Sequence, residues 1–270
     1  MKFALSTNWC NLRIESGVAI AEKAVELGFD ELELGFCTTD LQAKEIKEHL
    51  DLIPVGSIHA FCPVPLSAPM GYPELYQLAS EDEEARGIAK AHIKKNIKFA
   101  AEMGADAVVL HAGRVACNGL IKSRAMARRI KRGKKILDAF KHELDELAPV
   151  LEESKVVLGL ENLPYLEGFP AEWEIAEVAG EWVKPWFDTG HDFVRRVNGW
   201  AQDIPQPFGM HINDSNGGDD HLPPGEGKVD FAAMKSMAEA SHHLVLEPNT
   251  GVTEEALREG LAHLKRVWGK

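Results

Sequence analysis

Short apolar runs alternate with long amphipathic stretches along the whole chain, and this alternation constrains the fold more than any other feature. The runs have the length of buried strands, and the stretches between them have the spacing of helices that are apolar on one face. The predicted strands are residues 3–7, 31–34, 55–59, 107–111, 156–161, 185–188, 208–211 and 244–247. The predicted helices are residues 16–27, 40–51, 81–103, 124–152, 171–179, 191–201, 230–240 and 253–267.

Eight strand–helix units in succession predict parallel strands joined by right-handed crossovers. In a chain of 270 residues they favour a single (β/α)8 TIM barrel of the α/β class over an open sheet. The dinucleotide-binding pattern G-x-G-x-x-G is absent after the first run, which also weakens the open-sheet alternative. Because no Pro-, Gly- or Ser-rich linker divides the chain, residues 1–270 are expected to form one domain.

The net charge limits the binding partners that this chain could have, and the cysteines indicate the compartment in which it works. The chain has 30 Lys and Arg against 42 Asp and Glu, a net charge of −12 that disfavours broad attraction to nucleic acid or an anionic membrane. No apolar run approaches the roughly 20 residues of a membrane span, and the apolar stretch at the N-terminus is too short for a signal peptide. The four cysteines show no C-x-x-C pairing, which predicts reduced thiols in a cytoplasmic protein.

The polar residues that end the predicted strands carry the functional information. The last six runs end in His59, His111, Glu161, Asp188, His211 and Glu247. A single such residue is usually a solvated loop residue. Since the carboxyl ends of barrel strands surround one mouth, six in succession indicate a shared site. Imidazole with carboxylate suits Zn²⁺, Mn²⁺, Co²⁺ or Fe²⁺, and carboxylate-rich sites extend to Mg²⁺.

The last four strands offer one His and three carboxylates for a single divalent metal: Glu161, Asp188, His211 and Glu247. His191, three residues after Asp188, is expected to face the same mouth. The loop after the seventh strand adds Asp219 and His221 as further metal ligands. The alternative for Asp219 and its neighbour Asp220 is a role as turn formers in a Gly-rich stretch.

Six segments together resemble the xylose isomerase-like TIM-barrel superfamily, and the resemblance covers nearly the whole chain. They are His111-Ala112-Gly113, Leu160-Glu161-Asn162, Asp188-Thr189-Gly190-His191, His211-Ile212-Asn213-Asp214, Pro224-Gly225-Glu226-Gly227 and Leu246-Glu247-Pro248. This superfamily includes sugar and sugar-phosphate isomerases and epimerases, and the endonuclease IV type of AP endonuclease.

The resemblance implies different ligand sets in these two branches. In the ketose 3-epimerase branch, the matching Glu161, Asp188, His211 and Glu247 bind one divalent metal, and the two glutamates also move protons. In the endonuclease IV branch, nine ligands hold three zinc ions. The matching candidates are His59, His111, Glu161, Asp188, His191, His211, Asp219, His221 and Glu247.

The leading interpretation is a divalent-metal-dependent sugar or sugar-phosphate isomerase or epimerase. It would abstract a proton next to a carbonyl through a metal-stabilised enediolate, with Glu161 and Glu247 as the catalytic bases. The sequence does not distinguish a lyase that uses the same metal-enolate chemistry from an isomerase or epimerase. His191 could hydrogen-bond a substrate oxygen, and Trp9 either stacks on the sugar or packs in the core. Arg114 and Lys228 could pair with a phosphate or carboxylate of the substrate.

The alternative interpretation is an endonuclease IV-like AP endonuclease that hydrolyses DNA phosphodiesters with three zinc ions. A basic stretch over residues 122–135 would then help to bind phosphates, with Lys122 and Arg124 nearest the mouth, although a solvated helix face also explains it. The net charge and the apolar, Pro-stiffened segment 60–66 favour a small carbohydrate substrate. A metal-binding barrel without chemistry ranks last, and helix pairing into a homo-oligomer is compatible with the sequence.

Overall fold

The computed structural model describes residues 1–10, 12–68, 70–117 and 122–269, without the side chains of residues 122 and 123. Eight parallel strands close into a barrel in which each strand pairs with its neighbours in chain order. They are β1 Ala4–Ser6, β2 Glu31–Leu34, β3 Val55–His59, β4 Ala107–Leu110, β5 Val157–Glu161, β6 Val183–Asp188, β7 Gly209–Ile212 and β8 His243–Leu246. The predicted (β/α)8 barrel is therefore confirmed.

Each barrel strand is followed by a helix. The helices are α1 Gly17–Leu27, α2 Asp40–Lys47, α3 Glu83–Met103, α4 Lys122–Ser154, α5 Glu172–Val178, α6 Thr189–Asn198, α7 Lys235–Ala240 and α8 Glu254–Trp268. None of these helices combines the length and the apolar composition needed to cross a membrane, within the residues described.

Local sequence signals set several helix ends. The side chain of Asp82 accepts a hydrogen bond from the amide of Ala85 at the start of α3, and Gly104 ends this helix with a φ of 75°. The prediction was less accurate after β6, where α6 begins at Thr189 rather than at residue 191. The reason is that Asp188, the last residue of the strand, itself caps the helix by accepting a hydrogen bond from the amide of His191.

The lower part of the barrel interior is apolar and tightly filled. Trp186 on β6 is fully buried and packs with Ala4, Ala107, Val109 and Val245 from other strands. Gly159 on β5 leaves the space for this indole, because an added Cβ would lie 2.7 Å from it. The indole ring in turn contacts the His211 ring edge-on, with ring centroids 5.5 Å apart. Trp186 therefore closes the barrel directly below the residues at its mouth.

A small antiparallel sheet lies beyond the ends of β4 and β5. Gly113–Arg114, just after β4, pairs with Gly168–Phe169 in the loop that follows β5. Two buried arginines fix the same loop from the helix side, as Arg129 donates to the carbonyl of Gly168 and Arg195 to the carbonyl of Tyr165. The loops that border the mouth on this side are thus attached to the barrel.

Candidate metal centre

The side chains that end the strands meet at the carboxyl end of the barrel, with Glu161 at their centre. Its Oε2 lies 3.1 Å from Nε2 of His111, 3.2 Å from Nδ1 of His211 and 3.4 Å from Nε2 of His59. Nδ1 of His211 also lies 3.1 Å from Oε2 of Glu247. These residues are distant along the chain, and only closure of the barrel brings them together.

In the part of the chain that the structure describes, four groups of side chains have ligand atoms close enough to hold a metal ion, with the ligand atoms of a group within 4.8 Å of one another. The groups are His59, His111 and Glu161; His59, His211 and Glu247; Asp188, His191 and His221; and Glu161, Asp188, His211 and Glu247. The last group is the four-ligand set expected from the sequence. Eight of the nine candidate ligands belong to at least one group.

Several of these atoms are buried without a hydrogen-bond partner. Both carboxylate oxygens of Glu161, both ring nitrogens of His111 and Nδ1 of His211 are in this state within the described residues. Their close contacts lack hydrogen-bond alignment, and a buried carboxylate without a partner is costly. Lone pairs that converge on one region fit a bound cation, because such an ion satisfies all of them at once. The residues present therefore fit a divalent metal.

A second layer of polar groups orients the candidate ligands. Nε2 of His211 donates to the carboxylate of Glu33, at 3.1 Å from both oxygens, which leaves Nδ1 directed at the cluster. The side-chain amide of Asn213 donates to Oδ2 of Asp188 at 2.7 Å, and the side-chain amide of Asn8 donates to Oε1 of Glu247 at 3.1 Å. Hydrogen bonds of this kind fix the tautomer and direction of metal ligands.

The sequence interpretation missed Glu33, Asn8 and Asn213. Glu33 lies between Leu32 and Leu34 in a predicted strand, where a fully buried carboxylate is unusual, and this was the available signal. Asn213 lies within a segment that carried the family resemblance, but nothing in the pattern specifies its contact. Asn8 follows β1 with no motif around it.

Mutual charges hold the two glutamates ionised. Burial raises the pKa of Glu161, but the adjacent His111 and His211 outweigh it and hold this pKa well below its usual range. For Glu247, burial likewise raises the pKa, and the neighbouring His211, His221 and His59 lower it by more. Both carboxylates are therefore negative at neutral pH, the state that metal ligation and proton abstraction require.

The histidines respond to the same charges in different ways. Burial lowers the pKa of His191, but Asp188 and Glu161 outweigh it and raise the pKa to about 10. In His211, the carboxylates of Glu247 and Glu33 likewise overcome burial and raise the pKa well above its usual value. Burial dominates for His111, whose pKa is lowered despite Glu161.

The loop after β7 brings His221 to the cluster but leaves Asp219 outside it. Nδ1 of His221 donates to the carbonyl of Glu247 at 2.7 Å. Asp219 is exposed and forms part of a tight turn, where its amide donates to Oδ1 of Asn216 and its carbonyl accepts from the hydroxyl of Ser215. Oδ2 of Asp219 accepts from the side-chain amide of Asn216 at 3.1 Å, so this carboxylate belongs to the exposed turn and not to the cluster. The neighbouring Asp220 lies nearer to the cluster than Asp219 does, and its Oδ2 is 3.9 Å from Nε2 of His191.

A narrow pocket of about 200 Å³ opens above the cluster. The candidate ligands His59, His111, Glu161, His191, His221 and Glu247 form part of its wall. The remaining wall comes from loop residues: Asn8, Phe36, Cys37, Pro73, Pro248, Asn249 and Thr250. No Lys or Arg is found among the described residues that line it. The volume suits a small molecule.

Of the four residues expected to contact substrate, only His191 lines this pocket in the described part of the chain. Trp9 is 1% exposed, and its indole donates to the carbonyl of Val252 at 2.7 Å, so no face remains for stacking. Arg114 is held by an ion pair with Glu74 and lies over the Tyr165 ring. Lys228 is exposed on the loop after β7.

The basic stretch also lies away from this pocket. Arg124 is an exposed residue of α4 and is not part of the pocket wall. The side chain of Lys122, the other residue expected near the mouth, lies outside the described residues.

Comparison with known proteins agrees with this fold. A curated relative, an uncharacterized protein from Methanocaldococcus jannaschii, is 27% identical over 234 residues, which cover 80% of this chain and 73% of that protein. A D-tagatose 3-epimerase-like protein of known structure has a TM-score of 0.69 at 24% identity and covers 98% of this chain and 99% of its own.

Two further solved structures show the same architecture. The D-psicose 3-epimerase of Clostridium cellulolyticum, solved with D-tagatose, has a TM-score of 0.68 at 18% identity, with 99% of both chains covered. The IOLI protein, solved with a bound zinc atom, has a TM-score of 0.68 at 16% identity and covers 99% of this chain and 98% of its own. The family model described as xylose isomerase-like TIM barrel matches residues 21–267. The chain therefore belongs to the xylose isomerase-like TIM barrel family.

Proposed function

We propose that this protein is a divalent-metal-dependent isomerase or epimerase that acts on a sugar or sugar phosphate by removing a proton next to a carbonyl group. The observation that carries the proposal is the pair of ionised glutamates, Glu161 and Glu247, whose Oε2 atoms lie 3.2 and 3.1 Å from Nδ1 of His211 in one buried cluster. Epimerisation requires a base on each side of a planar intermediate, and these two carboxylates at one small pocket are the candidates for the two bases.

The solved relatives support a carbohydrate substrate. A D-tagatose 3-epimerase-like protein and a D-psicose 3-epimerase share the fold over nearly the full length of this chain. The IOLI protein, which shares it too, binds zinc in its structure. Because sequence identity to these proteins is low, the substrate class rests on the pocket together with the fold.

The residues suited to hold the metal are Glu161, Asp188, His211 and Glu247. A divalent cation bound there, such as Mn²⁺, Zn²⁺, Mg²⁺ or Co²⁺, would supply Lewis-acid polarisation of the substrate carbonyl and the neighbouring hydroxyl.

The chain's own residues then perform the proton transfer. Glu247 would take the proton at one face of the substrate while Asn8 holds its Oε1 in place by a hydrogen bond of 3.1 Å. Glu161 would deliver or take the proton at the other face. His191, whose Nδ1 donates to the carbonyl of Asn162, is positioned to hold a substrate oxygen with Nε2. Phe36, Pro73 and Pro248 in the pocket wall limit access of water.

The alternative of an AP endonuclease has support from the ligand groups but not from the pocket. The groups of His59, His111 and Glu161 and of Asp188, His191 and His221 would accommodate further zinc ions. A DNA phosphodiester, however, needs cationic side chains around the reacting phosphate. The absence of Lys and Arg from the described pocket wall favours the sugar substrate.

Proton exchange from solvent tests the proposal directly. Metal-loaded protein is incubated with ketoses and ketose phosphates in D₂O, and deuterium at the carbon next to the carbonyl is followed by NMR. The wild-type protein should incorporate deuterium, and Glu247→Gln, loaded at a metal concentration high enough to fill its weakened site, should incorporate none. Asp219→Asn is the matched control, because this exposed carboxylate lies outside the cluster. Exchange that persists in Glu247→Gln would remove the role given to this residue.

Metal content and nuclease activity distinguish the two functions. We expect one metal ion per chain by elemental analysis and no cleavage of a duplex that contains an abasic site. Three zinc ions per chain together with cleavage of that duplex would instead establish the endonuclease function.

A further inference from the structure

A second and larger cavity lies outside the barrel, along the first half of α4. Its volume is about 810 Å³, which is within the range of roughly 300–1,000 Å³ typical of small-molecule sites. Among the described residues, it shares no lining residue with the pocket above the metal cluster. It is formed between α4, the start of α3 and the segment that follows β4, and the proposed isomerase chemistry makes no use of it.

One wall of this cavity is strongly cationic. Arg128, Lys131, Arg132 and Lys135 line it, and their spacing of three, four and seven residues places them on one face of α4. All four side chains are exposed. Glu81 is the one acidic residue among the described residues of the lining, so the cavity carries a net positive charge in a protein whose overall charge is −12.

The two lysines are the cations most available for a ligand. Arg132 makes an ion pair with Glu81 at 3.5 Å. By contrast, Lys131 and Lys135 lie beyond 4.0 Å from every carboxylate in the ranges that the structure describes. Charged groups that face one another on one helix without counterions raise the local potential, and an anion that binds between them lowers it.

Hydrogen bonds hold the opposite side of the cavity in place. Nη1 of Arg86 donates to the carbonyls of Ser80 and Glu81, and its Nε donates to Glu143 on α4 at 2.9 Å. Nη1 of Arg132 donates to the carbonyl of Ala116 at 3.1 Å. The segments on both sides of the cavity are thereby attached to α4.

The floor of the cavity is apolar. Ile136, only 4% exposed, lines it together with Ala116 and Ala139. A cationic wall above an apolar floor matches a ligand that has several negative charges at one end and an organic group at the other. A long polyanion fits less well, because it would extend onto a protein surface that is negative overall.

We propose that this cavity binds a small organic anion that carries two or more phosphate groups, held by Lys131 and Lys135 with its organic part on Ile136. The site is separate from the metal cluster and goes beyond the proposed isomerase function. It gives a role to the basic stretch of α4, for which the catalytic pocket offers none.

Calorimetric titration of the metal-loaded protein with ADP tests the site. We expect saturable binding with a Kd below about 1 mM at low salt, and weaker binding as NaCl screens the charges. Lys131→Gln with Lys135→Gln should weaken binding at least about tenfold, which corresponds to about 1.4 kcal/mol. The matched control is Lys98→Gln with Lys134→Gln, which removes the same charge from exposed positions outside the cavity and should change Kd less than about twofold.

Three results would overturn the proposal. The first is no saturable binding of ADP to the wild-type protein. The second is an equal effect of the two double variants on the Kd for ADP. An equal loss would show that binding reflects general surface charge, and no loss in either would place the binding at the metal cluster. The third is tighter binding of a single-stranded RNA oligonucleotide than of ADP with the same loss in Lys131→Gln/Lys135→Gln, which would identify a nucleic-acid surface instead.

Discussion

Glu33 lies in the middle of β2 with its side chain fully buried, and it touches two neighbours that explain its presence. Its carboxylate accepts a hydrogen bond from Nε2 of His211, and its Oε2 also accepts one from the hydroxyl of Ser57 at 2.8 Å. In the neutral imidazole that a metal requires, this contact holds the proton at Nε2, so the lone pair of Nδ1 faces the cluster. We regard Glu33 as a positioning residue for the metal ligand His211.

Replacement of Glu33 by Gln should weaken metal binding without removing a ligand. An amide can hold the imidazole less firmly than a carboxylate, and loss of such an outer partner typically costs about 10- to 100-fold in metal affinity. The measurement is competition for the metal with a chelator of known affinity. Glu31→Gln is the matched control in the same strand, because Glu31 lies at the amino end of β2, away from the mouth, and pairs with Lys2. Equal affinity in Glu33→Gln and the wild-type protein would contradict the positioning role.

A residue's position just after a strand does not by itself predict that the residue belongs to the site. Trp9 and Arg114 follow β1 and β4 closely, as substrate-contacting residues of a barrel would, yet each is committed to a structural contact. His221 and Asp219 are two residues apart in one loop, and only His221 reaches the cluster. The turn around Asn216 decides between them, and its hydrogen bonds are not evident from composition.

Among helices and strands, the connection from β5 to α5 depends on two buried ion pairs. Arg129 on α4 contacts both carboxylate oxygens of Glu174 at 2.8 Å. Arg195 on α6 contacts Glu172 in the same way, at 2.6 and 2.9 Å. Three neighbouring helices are thus joined around the loop that follows Glu161.

Breaking one of these pairs should cost far more stability than breaking a surface pair. Arg129→Met leaves the carboxylate of Glu174 buried without its partner, which typically costs about 3–5 kcal/mol. The control Arg258→Met removes an exposed pair with Glu26 and should cost about 0–1 kcal/mol. Chemical denaturation measures the difference in the free energy of unfolding.

A second variant separates loss of the pair from loss of packing. Arg129→Met combined with Glu174→Leu removes both charges and should recover much of the lost stability, because no isolated charge remains buried. Equal unfolding free energies for Arg129→Met and Arg258→Met, or no recovery in the double variant, would show that the pair is not what holds these helices.

In the whole molecule, several buried ionisable side chains lie together at the mouth of the barrel, at one end of the core. A metal that binds only the folded chain stabilises it by mass action, by about 2.7 kcal/mol when the free metal is at 100 times its Kd. In a protein of this size each kcal/mol corresponds to roughly 2–4 °C in Tm.

Metal binding should therefore raise Tm by about 5–10 °C relative to chelator-treated protein. Glu161→Gln should remove most of this increase, because Glu161 belongs to two of the four ligand groups. Asp219→Asn should keep it. Thermal unfolding of the three proteins with and without Mn²⁺, Zn²⁺, Mg²⁺ or Co²⁺ provides the measurement. An unchanged increase in Glu161→Gln would place the metal elsewhere.

The sequence by itself determined the barrel and the residues at its mouth, because the alternation of short apolar runs with amphipathic stretches is a local property that each unit repeats. The imidazole and carboxylate groups that end those runs were identifiable for the same reason. Only the tertiary structure decided that Glu33, Asn8 and Asn213 orient the candidate ligands, that Asp219 faces solvent, and that α4 borders a cationic cavity. These features depend on contacts between residues far apart in the chain, and their geometry exists only once the barrel has closed.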